Sequence, residues 1–174
     1  MLDPTKSLSN GAQDILDVCR DIRLMCAELH HYYADLFVDV RSALLLWKRT
    51  ALGEKNQAKE LAVIANHRCQ KVIHSFRREL LDAEIALIYL RSLIERTKHN
   101  PPSLVEALKT SIKLEEKLTR FNIQNIMEFT GNSLSKQFTK VIQVEQERIA
   151  SFRNAYKQLV APQLDNSFQC DLAF

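Results

Sequence analysis

Three glutamates stand where apolar side chains are expected. Trp47, Ala51, Ala58, Leu61 and Ala65 follow one another at helical spacing, and Glu54 falls inside that seam. Glu115 interrupts a second seam, formed by Leu104, Leu108, Ile112, Asn122, Ile126 and Phe129. Glu145 interrupts a third, among Phe138, Val141, Ile142, Ile149, Phe152 and Tyr156. A fourth acid, Glu28, borders the stripe at Met25 and Leu29, with His31 one turn further on. A carboxylate within a core stripe is costly unless something positive meets it. That partner is a metal ion, a fixed cation or a proton, and each implies different chemistry.

The heights of the four acids make them one group. Glu28 and Glu54 lie nearly symmetrically about a turn near residue 40, and Glu115 and Glu145 about a turn near residue 131. At about 1.5 Å per residue each acid lies roughly 20 Å from its turn, near the middle of a helix about 40 Å long. A further long helix between the two pairs carries the chain back along the molecule, so the four levels coincide. For Glu115 the neighbouring Glu116 is a competing inward candidate. His31 is read either as a metal ligand or as a hydrogen-bonded histidine beside His30, Tyr32 and Tyr33. Tyr32 and Asn122 are expected to stand behind the acids as hydrogen-bonding support.

The elements that must position these residues are helices. Three glycines and four prolines in 174 residues leave little punctuation for strands, and helix-forming residues dominate. The spacing predicts a polar arm over 1–10, helices over 11–37, 42–69, 71–98, 103–129 and 133–159, and a tail over 160–174. Asn100-Pro101-Pro102 ends the third helix, and Ser103 to Glu106 reads as a capping box opening the fourth. The third helix has the clearest periodicity, Ile73, Phe76, Leu80, Ala83, Leu87, Leu90 and Ile94. Its apolar stripe covers the other helices or, if it projects outside, forms a homodimer seam.

Composition narrows the function classes. The net charge of +3 is small and the charges alternate along the chain, so no nucleic-acid partner is expected. Arg68, Lys71, His74 and Arg78 make a basic strip, read as a solvated face because acids follow at once. Cys19, Cys26, Cys69 and Cys170 lack paired Cys-x-x-Cys spacing, and Cys19 and Cys26 suit small core positions. No apolar run is long enough to span a bilayer, and no signal peptide is apparent, so a cytoplasmic setting is expected.

The arrangement resembles the rubrerythrin-like branch of the ferritin-like superfamily over residues 11–159. Leu46-Trp47, Ala51 and Glu54-x-x-Gln57-Ala58 look like its second-helix motif. Leu114-Glu115-Glu116-Lys117-Leu118 looks like the next core helix, and Glu145-x-x-Arg148 like the last. The resemblance implies an all-α, ferritin-like four-helix bundle with an additional long crossover helix. It also implies a di-iron or di-manganese site held by Glu28, His31, Glu54, Gln57, Glu115 and Glu145. In such bundles one Glu comes from each of two helices and a Glu-x-x-His from each of the other two. Here Gln57 and Arg148 stand where the histidines belong, and Gly53 replaces a residue usually acidic in similar sequences. An amide is a poor ligand and a guanidinium, always protonated, cannot coordinate. The expectation is therefore a degraded site with no cofactor, Arg148 supplying the charge, in a non-catalytic protein acting through protein contacts or as a homodimer. The rival is a working iron or manganese oxidase or peroxide reductase. A helical interaction module without this ancestry is a third reading.

Overall fold

The structure, a computed structural model, describes residues 4–66, 73–76, 80–121, 127–129 and 144–159. It is helical apart from one short ladder of two strands. The elements are α1 (Pro4–Leu36), α2 (Arg41–Asn66), β1 (Ile73–Phe76), α3 (Leu80–His99), α4 (Leu104–Leu118), β2 (Met127–Phe129) and α5 (144–159). No helix among the described residues is long and apolar enough to cross a membrane.

α1 and α2 are antiparallel neighbours because only residues 37–40 separate them. Backbone bonds from Phe37 N to the Tyr33 carbonyl and from Val40 N to the Phe37 carbonyl, both 3.0 Å, close that turn. The α1 face of Ile15, Cys19, Ile22, Cys26, Leu29 and Tyr33 is buried, as are Ala43, Trp47, Ala51, Ala58 and Leu61 on α2. α3 lies against α1 and buries Ala83, Leu87, Leu90, Ile94 and Thr97. α4 opens on the expected capping box: Glu106 N donates to Ser103 Oγ at 3.3 Å, and Ser103 N donates to Glu106 Oε2 at 2.8 Å. Ser103's backbone and hydroxyl hydrogen bonds hold the Glu106 carboxyl below its usual range.

Four boundaries differ from expectation. α1 begins at Pro4, so most of the segment read as a polar arm is helical. Its polar residues show no apolar period, yet extending an existing helix needs none, and proline suits the first helical position. α2 ends at Asn66 rather than near Cys69. The first turns of the expected third helix are the strand β1, which pairs antiparallel with β2: Ile73 opposite Phe129, Ser75 opposite Glu128 and Phe76 opposite Met127. Isoleucine and phenylalanine fit a strand as well as a helical stripe, and a pairing across some fifty residues leaves no local period to read. α4 correspondingly stops at Leu118, where Thr119 Oγ1 donates to the Glu116 carbonyl at 2.8 Å, and one 3₁₀ turn follows over Thr119–Phe121. Asn122, residues 133–143 of the expected fifth helix and the 160–174 tail lie outside the described residues.

Candidate functional site

Glu54 of α2, Glu115 of α4 and Glu145 of α5 converge in the interior, each at most 2% exposed. No metal site is needed to explain how they coexist, because two guanidinium groups sit among them. Arg148, one turn along α5 from Glu145, places Nη1 at 2.5 Å from Glu54 Oε1, Nε at 2.9 Å from Glu115 Oε2 and Nη2 at 3.7 Å from Glu145 Oε1. Arg23 of α1 approaches from the other side, with Nη1 3.2 Å from Glu54 Oε2 and Nη2 3.0 Å from Glu145 Oε1. Its Nη2 also donates to the Leu118 carbonyl at 3.4 Å.

The two arginines work differently. Arg23 donates a hydrogen bond to Glu54 and caps the last turn of α4. Arg148 lies within ion-pair distance of three carboxylates, but its N–H groups make no well-aligned hydrogen bond among the described residues. Its contribution is Coulombic, in an interior where charge attraction is strong. Burial alone would push Arg23 toward losing its proton, yet Glu54 and Glu145 outweigh that and hold it protonated more firmly than usual. Burial likewise works to raise the Glu115 carboxyl. Arg148, the His30 hydrogen bond and Arg23 override it, and the carboxyl lies below its ordinary value.

Two further side chains complete the shell. His30 Nε2 lies 2.9 Å from Glu115 Oε1 and supplies the proton of that bond, while Nδ1 has no hydrogen-bond partner among the described residues. The ring stacks on Phe152 at 5.6 Å between centroids. Gln57 Nε2 donates to Glu145 Oε1 at 3.2 Å, so this amide serves a carboxylate as a hydrogen-bond donor. Gly53 makes room for the arrangement: a Cβ there would lie 3.3 Å from Arg148 Nη1.

Of the residues singled out in the sequence, Glu54, Gln57, Glu115, Glu145 and Arg148 meet in this cluster. Glu115 rather than Glu116 points inward; Glu116 is exposed and pairs with Arg153 at 2.6 Å. Glu28 and His31 do not join them. Glu28 is exposed and accepts from Lys98 Nζ at 2.7 Å, and His31 Nε2 meets Lys55 Nζ at 2.9 Å. Tyr32 reaches away from the cluster, donating to the Thr97 carbonyl of α3 at 3.4 Å.

Glu28 falls outside the cluster for a geometric reason. α1 ends at Leu36 and α2 begins at Arg41, so the level opposite Glu54 on α1 is Arg23. Five residues separate Arg23 from Glu28, about 140° around the helix and about 7.5 Å along it. Arg23, buried within the stripe of Cys19, Ile22 and Cys26, was the legible signal: an anomalous charge of the opposite sign in the same kind of seam. His30 was legible too, one step before His31 and on the buried face.

This donor set does not fit a pair of metal ions. Both guanidiniums lie between the oxygens that would have to converge on metal, and the imidazole nitrogen facing them, His30 Nε2, is already committed to Glu115. Among the described residues no three His, Cys, Asp or Glu side chains are grouped to hold a metal ion. Nor is there a reactive thiol in the cluster. Burial pushes the Cys19 thiol up to about 12, and burial with Glu54 and Glu115 raises Cys26 well above its usual value. A hollow of about 290 Å³ between α2 and α5, lined by Thr50, Gly53, Asn56, Arg148 and Ser151, reaches Arg148 but none of the three carboxylates. Comparison with known proteins finds no matching family model and no similar curated protein or solved structure.

Proposed function

We propose that this chain is a non-catalytic, ferritin-like helical protein of rubrerythrin type. In this reading a guanidinium–carboxylate network has taken the place of a di-iron carboxylate centre, and the protein acts through protein contacts. The observation that carries it is the position of Arg148, inside the space bounded by Glu54, Glu115 and Glu145. Arg23 adds the second fixed positive charge. Two monovalent groups attached to the chain neutralise most of what two dissolved cations would otherwise neutralise. The four-helix architecture is supported by the origin of the cluster, one helix each for Arg23, Glu54, Glu115 and Glu145. A reducing, cytoplasmic setting accords with the buried free thiols of Cys19 and Cys26.

The working-enzyme rival requires Arg148 to turn away from the acids and Glu28 to turn toward them, and both lie the other way round. Metal analysis of protein purified from iron- and manganese-supplemented cells tests the proposal. Iron and manganese well below one per chain are expected. About two ions per chain, the stoichiometry of a carboxylate-bridged pair, would overturn it.

A further inference from the structure

α3 is apolar on two opposite sides, and only one is covered. Ala83, Leu87, Leu90, Ile94 and Thr97 are buried within the molecule. Half a turn round the same helix, Leu81, Ile85 and Ile88 are 59%, 56% and 64% exposed. These three follow at i, i+4 and i+7, a continuous ridge rather than scattered surface residues. The ridge runs into a hollow of about 370 Å³ lined by Ile85, Ala86, Tyr89, Leu90, Leu114 and Leu118. Lys117 forms part of its rim, its ammonium 4.6 Å over the Tyr89 ring. Ridge and hollow side by side can engage a second surface of the same shape.

The charges along the ridge indicate what that surface is. Glu84 and Arg91 flank Ile88 on one edge, seven residues apart, and are therefore too far apart to pair along their own helix. Neither has an ion-pair partner among the described residues. Turn a second α3 end for end about an axis between Ile85 and Ile88, and Ile85 of each copy faces Ile88 of the other. Glu84 of each copy then lies beside Arg91 of the other, so one two-fold operation pairs both charges twice. A parallel two-fold arrangement would instead set this edge of one helix against the opposite edge of the other, and Glu84 would not meet Arg91.

We infer that this face of α3 is a self-association surface, on which a second copy of the chain packs antiparallel with Glu84 against Arg91. It is independent of the buried cluster, and either reading can fail alone. A contact built from one helix ridge and its adjoining hollow is a modest one, so association in the micromolar range is expected.

Sedimentation velocity of the full chain across micromolar concentrations, with circular dichroism to confirm folding, tests it. The unaltered protein should pass from monomer to dimer with concentration. Ile85→Asp and Ile88→Asp, both at exposed positions, should each leave monomer throughout. Arg91→Glu should weaken the dimer about tenfold by setting glutamates together twice, and adding Glu84→Arg should return it to within about threefold. A monomer at every concentration would overturn the proposal, including the case in which a different protein covers this face. A dimer indifferent to Arg91→Glu, or not rescued by the added reversal, would overturn the antiparallel pairing and with it the assignment.

Discussion

The same chemistry occurs twice in this protein, inside and outside, with opposite consequences. On the surface Lys98 meets Glu28 at 2.7 Å and Arg153 meets Glu116 at 2.6 Å. Inside, Arg23 and Arg148 meet Glu54, Glu115 and Glu145, several contacts being longer. Distance alone would rank the surface pairs above every interior contact but the one between Arg148 and Glu54. Water reverses the order. An exposed pair gives up hydration and side-chain freedom for attraction in a high dielectric, and gains little. A buried pair has already lost its hydration, so removing one partner leaves the other charged with no solvent to turn to. The interior cluster therefore constrains the fold while the surface pairs decorate it.

This contrast orders the expected effects of mutation. Arg148→Met or Arg23→Met strands buried carboxylates and should cost about 3–5 kcal/mol in urea unfolding. A loss below about 1 kcal/mol would mean the cluster is far wetter than its burial indicates.

Acid should act on the interior next. Glu115 ionises below its unfolded value of 4.5, so its contribution is fully present above that value and is lost as pH falls through its lower folded value. Stability followed from neutral pH downward should fall off below about pH 4.5. Glu115→Gln should flatten that acid limb. An unchanged limb would remove Glu115 from the account.

Gly53→Ala probes how firmly Arg148 is held. In an unconstrained helix the change stabilises by about 1 kcal/mol. Here the new methyl group meets a guanidinium pinned by three carboxylates, so no gain is expected. A full gain would show that Arg148 moves aside freely. The smallest effect belongs outside: Arg153→Met should leave the unfolding midpoint unchanged within error.

How much of this was legible in the chain depended on whether the signal was local. The seams through Trp47, Leu108 and Phe152 are helical periods, and each acid breaking one of them is buried as its period requires. Arg148 was legible because it lies one turn from Glu145. Glu28 was not, because its place depended on where a four-residue turn fell, and a small error there rotates a side chain from core to water. Arg23 carried the same signal as Glu54, a charge in an apolar stripe, but of the sign that is more easily read as a solvated side chain with an apolar stem. The β1–β2 ladder was illegible for a different reason. Its two strands are far apart in sequence, and neither breaks the helical pattern that its residues also satisfy.

The central claim is that Arg148 and Glu54 exist inside this protein for each other's sake. A double-mutant cycle in urea tests it most directly, using Arg148→Met, Glu54→Leu and the two combined. Each single change should be strongly destabilising and the pair together much less than their sum, with a coupling of about 2–3 kcal/mol. Effects that add to within about 0.5 kcal/mol would contradict it, because the two side chains would then be independent of one another.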